Sequence, residues 1–490
     1  MKNNLLNCQK IYVYKQVPKA LPSVLKSKRY ILSRESGGIE VFMKLKKIAL
    51  ILAVTLVLGA CGRSADADPV PAPEEELQQV QEDQETVTPA EDTDTPAQPQ
   101  ADPEPEPEPE PAEEEPLTFI EDMGTTTING YTVKPVPDTD AFEFVLGMHG
   151  GINLGNAFDA SDCTWVANEL DYESAWCGAK TTYAYIDSLC NEGFNVIRIP
   201  VSWHNHVDAN YNISQAWLAR VTDIVDYCLG KDMYVIINIH HDTDKNYFYP
   251  DSAHLDKTLK YTEAIWTQLS EHFKDRSNKL IFECINEPRL KDTDLEWWFQ
   301  SENATVLDAY DALMQANQVF VDTVRASGGN NADRFLVVCG YCQMPSATTS
   351  NNFSLPTDSA KNRIIVSVHS YRPYDFAGNV DGTSSFGEAE KKDNKQVFSS
   401  LYERFVANGI PVIIGEYGCI DKSNDADRLE YYRFMGECSA LYSIPIIAWD
   451  NNEFNNTNGI VAETYGFIDR ASGNVILRDL VDAMTATYKQ

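Results

Sequence analysis

Eight short apolar runs recur between residues 151 and 449, and this repetition constrains the fold more than any other feature of the sequence. Continuous Val- and Ile-rich runs separated by helices are typical of a parallel sheet that is buried on both faces. The predicted strands are Gly151–Leu154, Val196–Pro200, Tyr234–His240, Leu280–Asn286, Phe335–Gly340, Ile364–His369, Pro411–Glu416 and Ile444–Trp449.

The intervals between these runs favour a closed barrel. Eight strand–helix units within roughly 370 residues indicate an α/β fold of the (β/α)8 TIM barrel type rather than an open doubly wound sheet. No glycine-rich phosphate loop follows the first run, which argues against a dinucleotide-binding fold. Residues 346–362 are rich in Ser, Thr and Asn and predict at most a short helix. Longer helices are predicted at Ser214–Lys231, Ala304–Ser327, Glu388–Asn408 and Val475–Tyr488.

The charge of the chain is strongly negative and unevenly distributed. The formal net charge of −33 repels phosphate backbones, so no nucleic-acid partner is expected. Residues 63–116 contain one Arg, nineteen acidic residues and twelve of the 24 prolines. Like charges and prolines favour an extended, solvated chain, and few apolar residues are present to offset the entropy of ordering. This segment is therefore predicted to be a disordered acidic, Pro-rich linker.

An export signal is predicted ahead of the linker, but it does not begin at residue 1. Basic Met43–Lys47 precedes the apolar stretch Ile48–Leu58, whose eleven residues are too few to span a bilayer but suit a secretory signal. The following Leu58–Cys61 segment, Leu-Gly-Ala-Cys, resembles the lipobox of bacterial lipoproteins. That resemblance implies lipidation of Cys61, attachment to a membrane through this lipid alone, and an exported protein on the cell surface.

Four segments are therefore expected along the chain. They are a misassigned upstream extension (1–42), a lipoprotein signal peptide (43–60), the anchor cysteine with its linker (61–116) and a catalytic barrel (117–490).

Polar and aromatic residues follow seven of the eight predicted strands. In a (β/α)8 barrel the active site lies at the carboxyl ends of the strands, so these residues are predicted to surround one site. Two carboxylates, Glu287 and Glu416, follow the fourth and seventh strands, and such a pair suits glycosidic bond cleavage. The strand-end residues are Asn156, Arg198, His240, His241, Asn286, Glu287, Tyr341, His369, Tyr371, Glu416, Tyr417, Trp449 and Asp450.

Several of these motifs resemble glycoside hydrolase family 5, a family of retaining glycosidases with this fold. Phe282–Arg289 contains an Asn-Glu-Pro motif similar to the acid/base motif of the family, and Ile414–Gly418 resembles its nucleophile motif. The resemblance covers about residues 123–490 and is strongest to subfamily 4, which holds endoglucanases, xyloglucanases and mixed-linkage glucanases. The other matching segments, in order, are Asn153–Asn156, Arg198–Pro200, Asn238–His241, Val368–Tyr371, Trp449–Asn452 and Gly466–Arg470.

The resemblance implies a role for each matching residue. Glu287 would be the general acid/base, and Glu416 the nucleophile, held by Arg198 and Tyr371. Trp449 would be an aromatic platform for a sugar ring. The implied substrate-binding residues are Asn156, Arg198, His240, His241, Asn286, His369, Tyr371 and Trp449. The implied function is retaining endo-β-1,4-glucanase activity on a polysaccharide, by a monomer that needs no cofactor or metal.

Parts of the sequence also suggest other functions. A metal-dependent amidohydrolase is suggested by His204-Asn-His206 with Asp450, but that class needs its HxH on the first strand, which ends instead in Asn-Leu-Gly-Asn. A catalytically inactive, glycan-binding surface lipoprotein is less expected, because both carboxylates are present. Xyloglucan, mixed-linkage glucan, xylan and mannan remain open as substrates. Trp297-Trp298 is either a sugar platform on the aglycone side or packing within a long loop.

Nine cysteines remain after Cys8 and Cys61 are set aside. Cys163 and Cys177 flank one loop, and this position allows a disulfide between them. The others lie in apolar or helical patterns and are expected to be buried thiols. Cys339 and Cys342 have CxxC spacing without a second pair, which supports a zinc site only weakly.

Overall fold

The computed structural model describes residues 116–120, 123, 127–128, 130–454 and 463–487. Eight parallel strands pair in chain order, and the last pairs with the first to close a barrel. The predicted segments 1–42, 43–60 and nearly all of 61–116 lie outside these residues. The barrel strands are β1 (Gly151–Leu154), β2 (Val196–Ile199), β3 (Tyr234–Asn238), β4 (Leu280–Glu283), β5 (Leu336–Cys339), β6 (Ile364–His369), β7 (Val412–Tyr417) and β8 (Ile446–Asp450).

Helices surround this barrel. The α-helices are α1 (Asp140–Leu146), α2 (Tyr183–Glu192), α3 (Gln215–Gly230), α4 (Leu255–Phe273), α5 (Ala304–Ala326), α6 (Pro345–Thr348), α7 (Tyr374–Ala377), α8 (Glu388–Arg404), α9 (Asp425–Tyr442) and α10 (Arg478–Thr485). The 3-10 turns are Glu169–Ser174, His204–His206, Gly329–Ala332, Tyr341–Gln343 and Val406–Asn408. A short antiparallel hairpin joins Thr127–Ile128 to Tyr131–Thr132. Within the described part of the chain, every helix is too short or too polar to traverse a bilayer.

The (β/α)8 barrel predicted from the sequence is confirmed. β3 and β4 end two and three residues before their predicted ends, because the backbone leaves the ladder where polar side chains turn into the mouth of the barrel. Beyond the strands the backbone is still tied to its neighbours: the His240 N–H donates to the Val201 carbonyl, and the Asn286 N–H to the Ile239 carbonyl. The interval after β5 contains the 3-10 turn Tyr341–Gln343 and a single short α-helix, α6, in agreement with the predicted short helix.

The helices pack against the strands through large buried side chains. Trp266 on α4 lies between Phe282 of β4 and Phe320 of α5, with ring centroids 5.2 and 4.7 Å away. Its indole N–H donates to the Cys284 carbonyl, so the ring is buried without leaving a polar atom unpaired. Replacing such a side chain with Ala costs about 3–5 kcal/mol of stability. The strands that carry the mouth are therefore held by a rigid outer layer.

Strand register brings polar residues together near the carboxyl ends of the strands. Asn153 of β1 pairs with Arg198 of β2, and Asn238 of β3 pairs with Glu283 of β4. All four side chains are buried. Because buried polar groups are stable only when they are hydrogen-bonded, this layer must be satisfied internally, and it forms the floor of the site described below.

The disulfide that the sequence allows between Cys163 and Cys177 is not formed. Both are buried free thiols, as are all the described cysteines except Cys190, which is a half-buried thiol. Each sulfur donates to nearby carbonyls instead, Cys163 to Ser161 at 3.4 Å and Cys177 to Ala179 at 3.1 Å. The loop between them is held by local hydrogen bonds rather than by a covalent cross-link.

Candidate active site

Glu416 lies at the end of β7 and is held from two sides. Arg198 of β2 donates from Nη1 to Oε1 at 2.8 Å, and the Tyr371 hydroxyl donates to Oε2 at 3.0 Å. Glu416 is only 5% exposed, so neither oxygen can rotate away from its donors. This arrangement holds the carboxyl group in one orientation, as attack on a carbon atom requires.

Glu287 lies four residues after the end of β4 and faces Glu416. Its φ of 40° is in the left-handed region, and its backbone N–H donates to Gln343 Oε1 at 2.8 Å. Its Oε1 lies 2.9 Å from His369 Nδ1, and that nitrogen lies 3.6 Å from Glu416 Oε2. One carboxylate oxygen of each glutamate and a ring nitrogen of His369 all lie within 4.8 Å of one another. Such proximity is characteristic of retaining glycosidases.

The two carboxylates differ in how their surroundings shift their pKa values. Burial raises the pKa of Glu416, and the positive charges of His369 and Arg198 reduce that rise without cancelling it. Burial also acts to raise the pKa of Glu287, but the hydrogen bond and charge of His369, with the charge of Arg289, outweigh it and lower the pKa. Repulsion between the two carboxylates disfavours the state in which both are ionised. The first proton that binds is therefore a property of the pair and not of either glutamate alone.

Two residues that the sequence analysis missed complete the floor of the site. Glu283 accepts from Arg198 Nε at 2.6 Å and from Nη2 at 3.2 Å, so Arg198 lies between Glu283 and Glu416. Gln343 donates to Glu283 at 2.9 Å. The available signal for Glu283 was its place in the apolar run Leu280–Ile285, because a buried acid needs partners. No sequence signal marked Gln343.

Arg198 also orients the two asparagines of the site. Its Nη1 donates to Asn153 Oδ1 at 2.8 Å, and its Nη2 to Asn286 Oδ1 at 2.7 Å. The Asn286 amide oxygen is thereby occupied, which leaves its NH2 group to face the mouth. That geometry suits donation to a sugar hydroxyl.

His240 lies beside Trp449 on the other side of the mouth. Its Nδ1 accepts from Asn238 Nδ2 at 3.1 Å, so its Nε2 carries the proton. Burial and nearby cationic groups hold the pKa of His240 well below its ordinary value, which keeps the ring neutral. Its ring stacks at 5.8 Å and 10° against Trp449. His241 is partly exposed, with its Nε2 3.6 Å from Asp159.

The loop after β1 supports the Trp449 platform. A Cβ on Gly155 would lie 2.6 Å from the Trp449 ring, so only glycine allows this approach. Asn156 follows with a φ of 60° and is 8% exposed. Among the hydrogen bonds of the described residues, none joins the Asn156 side chain to Glu287 or Glu416. Asn156 therefore does not hold either carboxylate, whereas His241 lies close enough for its charge to help lower the pKa of Glu287.

Among the residues that the structure describes, two groups of side chains have the composition of metal ligands: Glu287 with His369 and Glu416, and Asp159 with His240 and His241. In the first group, His369 already bonds Glu287. In the second, the Nε2 of His240 carries a proton and offers no lone pair. The hydrogen bonds of both groups therefore suit proton donation better than metal binding.

The residues behind the amidohydrolase alternative have structural partners. His204 lies 3.3 Å from Asp162, and His206 lies 3.0 Å from Glu169. Asp450 is fully buried, accepts the Phe467 N–H at 3.0 Å and pairs with Arg470. The HxH segment is thus part of the loop packing and does not converge with Asp450 on a metal site.

The Trp297-Trp298 pair lies in the loop after β4. The Arg289 guanidinium lies over the Trp297 ring at 4.3 Å and donates to the Glu287 carbonyl at 3.0 Å. Trp298 is 59% exposed, against 38% for Trp297. Trp297 therefore packs within the loop, and Trp298 offers the freer ring face.

The chain is similar in sequence to known proteins. The sequence profile of the family described as Cellulase (glycosyl hydrolase family 5) matches residues 158–455. Endoglucanase A of Clostridium longisporum is 36% identical over 367 residues, which are 74% of this chain and 68% of that protein. Endoglucanase 1 of Ruminococcus albus is 38% identical over 355 residues, covering 72% of this chain and 82% of that protein.

Solved structures are similar over the same region. A mutant of the family 5 lichenase from Caldicellulosiruptor sp. F32, in complex with cellotetraose, is 43% identical with a TM-score of 0.71, covering 74% of this chain and 99% of that chain. A broad-specificity subfamily 4 endoglucanase from Ruminococcus champanellensis, with bound cellotriose, is 37% identical with a TM-score of 0.66, covering 71% and 99% of the two chains.

Proposed function

The chain belongs to glycoside hydrolase family 5 and is an endoglucanase, and we propose that Glu287 is its general acid/base and Glu416 its nucleophile. The observation that carries this assignment is the approach of the two carboxylates, one oxygen of each lying within 4.8 Å of the other. A separation of roughly 5–5.5 Å between the carboxyl groups leaves no room for a water between sugar and base, so the second carboxylate attacks directly.

Hydrolysis then proceeds in two displacements. Glu416 attacks the anomeric carbon while the glycosidic C–O bond breaks and Glu287 gives its proton to the departing oxygen. A water then attacks the glycosyl ester, Glu287 takes the proton of that water, and Glu416 leaves as a carboxylate. Arg198 and Tyr371 hold Glu416 throughout, and the Asn286 NH2 group bonds the sugar 2-hydroxyl.

The same Glu287 must be an acid in the first step and a base in the second. Its side chain is 18% exposed, and a glucan bound over it would remove that exposure and raise its pKa. Esterification of Glu416 removes the neighbouring negative charge and lowers the pKa of Glu287 again. The hydrogen bond from His369 supports the ionised form that the second step needs.

The substrate is proposed to be a β-1,4-linked glucan. The complexes of similar enzymes with cellotetraose and cellotriose support this class. A mixed-linkage glucan is the second candidate, because the similar Caldicellulosiruptor enzyme is named a lichenase. Initial rates and product sizes on carboxymethylcellulose, barley glucan, xyloglucan, xylan and mannan test this proposal. Higher rates on xylan or mannan than on every glucan would contradict it.

The location of the enzyme is proposed from the sequence ahead of the barrel. Lipidation of Cys61 would anchor the protein to a membrane, and the acidic linker would hold the barrel away from that surface. Cys61→Ala should release the protein or leave an uncleaved precursor, and unchanged membrane partition would contradict the proposal. Both carboxylates lie in one chain, which supports action as a monomer.

A further inference from the structure

Gln343 is fully buried and hydrogen-bonds two different parts of the site. Its Oε1 accepts the backbone N–H of Glu287 at 2.8 Å. Its Nε2 donates to Glu283 Oε1 at 2.9 Å and to Ser367 Oγ at 3.0 Å. One amide therefore connects the backbone of the proposed acid/base to the carboxylate behind Arg198.

The orientation of this amide is dictated by Glu283. Besides Gln343, Glu283 accepts from Arg198 Nε at 2.6 Å, from Arg198 Nη2 at 3.2 Å and from Asn238 Nδ2 at 3.2 Å. These four donors fill the four acceptor positions that the two oxygens of a carboxylate offer. Gln343 must then turn its NH2 group toward Glu283, which leaves its oxygen for the Glu287 N–H.

The backbone on both sides of this contact is in a costly conformation. Glu287 has φ 40°, and Cys342 and Gln343 have φ 54° and 50°. Left-handed backbone is unfavourable for a residue other than glycine, because its Cβ approaches a carbonyl oxygen too closely. Such conformations persist only where the surroundings impose them, and they concentrate at functional sites. Two contacts join these segments: the Cys342 N–H donates to the Pro288 carbonyl at 2.9 Å, and the Gln343 amide oxygen accepts the Glu287 N–H at 2.8 Å.

We propose that Gln343 is a positioning residue, which through the Glu287 N–H aims the Glu287 carboxyl group at the leaving oxygen, while Glu283 fixes Arg198 and hence Glu416. This inference rests on the proposed roles of the two glutamates. Loss of Gln343 should impair proton donation while leaving nucleophilic attack largely intact.

Aryl β-cellobiosides with leaving phenols of graded acidity test this inference. For each variant, log kcat/KM is plotted against the pKa of the phenol. Gln343→Met, which keeps the volume and deletes the amide, should steepen the slope toward that of Glu287→Ala. The loss should be about 10–100-fold for the least acidic phenol and small for the most acidic, because only a poor leaving group needs a proton.

The slope does not depend on the fraction of enzyme that is folded, so a loss of stability alone gives a parallel line. A parallel line for Gln343→Met beside a steepened line for Glu287→Ala would overturn the role of Gln343 alone. An unchanged slope for Glu287→Ala would overturn the acid/base assignment and this inference with it. If Gln343→Met does not fold, Gln343→Asn, whose amide is one methylene shorter, takes its place under the same criteria.

Gln268 on α4 provides a matched control. Its Oε1 accepts the Ile213 N–H at 2.9 Å and its Nε2 donates to the Tyr211 carbonyl at 2.8 Å, so it is also an amide bonded on both sides. Gln268→Met should keep the wild-type slope. A slope as steep as that of Gln343→Met would show that deleting any such amide has this effect, and would overturn the proposal.

Discussion

The mouth of the barrel contains two regions built in different ways. The inner ring consists of Asn153, Arg198, Glu283, Asn286 and Glu416, which are at most 5% exposed and joined by hydrogen bonds centred on Arg198. The rim consists of Trp165, Trp297 and Trp298, which lie on the loops after β1 and β4 and are 38–66% exposed.

This difference indicates that the inner ring determines the chemistry and that the rim influences which substrate is bound. The inner ring comes from strands or from residues just after them, so its atoms are fixed by the sheet and by buried hydrogen bonds. The rim comes from loops, which tolerate change of sequence and shape. Changes near the inner ring are therefore expected to cause large losses on every polysaccharide, and changes at the rim small losses that depend on which substrate is bound.

The largest loss is expected from Glu416→Ala. The other carboxylate of the inner ring, Glu283, is buried and occupied by donors from Arg198, Asn238 and Gln343, so it cannot replace Glu416 as nucleophile. We therefore expect kcat to fall by roughly six orders of magnitude on every substrate, as when another enzyme loses its nucleophile. Steady-state rates on barley glucan and on an activated aryl cellobioside measure this loss. A residual rate within a hundredfold of wild type on either substrate would show that a different group attacks.

Glu287→Ala should be damaging in a way that depends on the leaving group. Loss of general acid/base catalysis costs about 10²–10⁴-fold on a polysaccharide. An activated aryl cellobioside should still form the ester, which then accumulates because no base activates water. Added azide should restore turnover and give a β-glycosyl azide. An α-glycosyl azide, or no effect of azide, would argue against the assignment.

His204 is expected to make the stability of the loops around the mouth depend on pH. It lies between Asp162, after β1, and Asp242, after β3. Burial acts to lower the pKa of His204, but its hydrogen bonds to both carboxylates outweigh burial and raise it to about 9. Because the pKa is raised on folding, the stabilisation is complete below about pH 6.5 and is lost as the pH rises through about 9.

Urea unfolding at pH 6.5 and pH 10 tests this expectation. Wild type should lose about 1–3 kcal/mol more of its unfolding free energy than His204→Gln over this interval. His254→Gln is the control variant. His254 also pairs with a carboxylate, Asp251 at 2.6 Å, but its side chain is more exposed than that of His204. An equal loss in wild type and His204→Gln would refute the prediction.

The smallest effect is expected at the rim itself. Trp298→Ala should raise KM on long glucans a few-fold, as expected from loss of one exposed stacking contact of about 0.5–1.5 kcal/mol, and leave aryl cellobiosides unchanged. Trp297→Ala should affect both substrates, because Trp297 packs on Arg289, which bonds the Glu287 backbone. Identical substrate profiles for the two variants would remove the distinction between them.

The sequence allowed the barrel and most of the mouth to be predicted for the same reason. Buried parallel strands are continuous apolar runs, so their ends, and the polar residues that follow them, are visible as breaks in hydropathy. Glu283 was missed because it lies within such a run rather than after it. Gln343 was missed because its position depends on left-handed backbone at Cys342 and Gln343, which no periodicity encodes.

Loop features were predicted less well because they depend on contacts distant in sequence. The proximity of Cys163 and Cys177 along one loop allowed a disulfide, but each thiol points to a different carbonyl. His204 and His206 had the spacing of metal ligands, yet each pairs with a carboxylate from the segment after β1.

The stereochemistry of hydrolysis tests the central claim most directly. If Glu416 attacks the anomeric carbon and water then displaces it, the configuration is inverted twice and the first product is the β-anomer. Proton NMR of a fresh hydrolysate of a β-1,4-linked cello-oligosaccharide distinguishes the anomers before mutarotation. We expect the β-anomer to appear first. An initial α-anomer would mean a single displacement by water, and the assignment of Glu416 as nucleophile would have to be withdrawn.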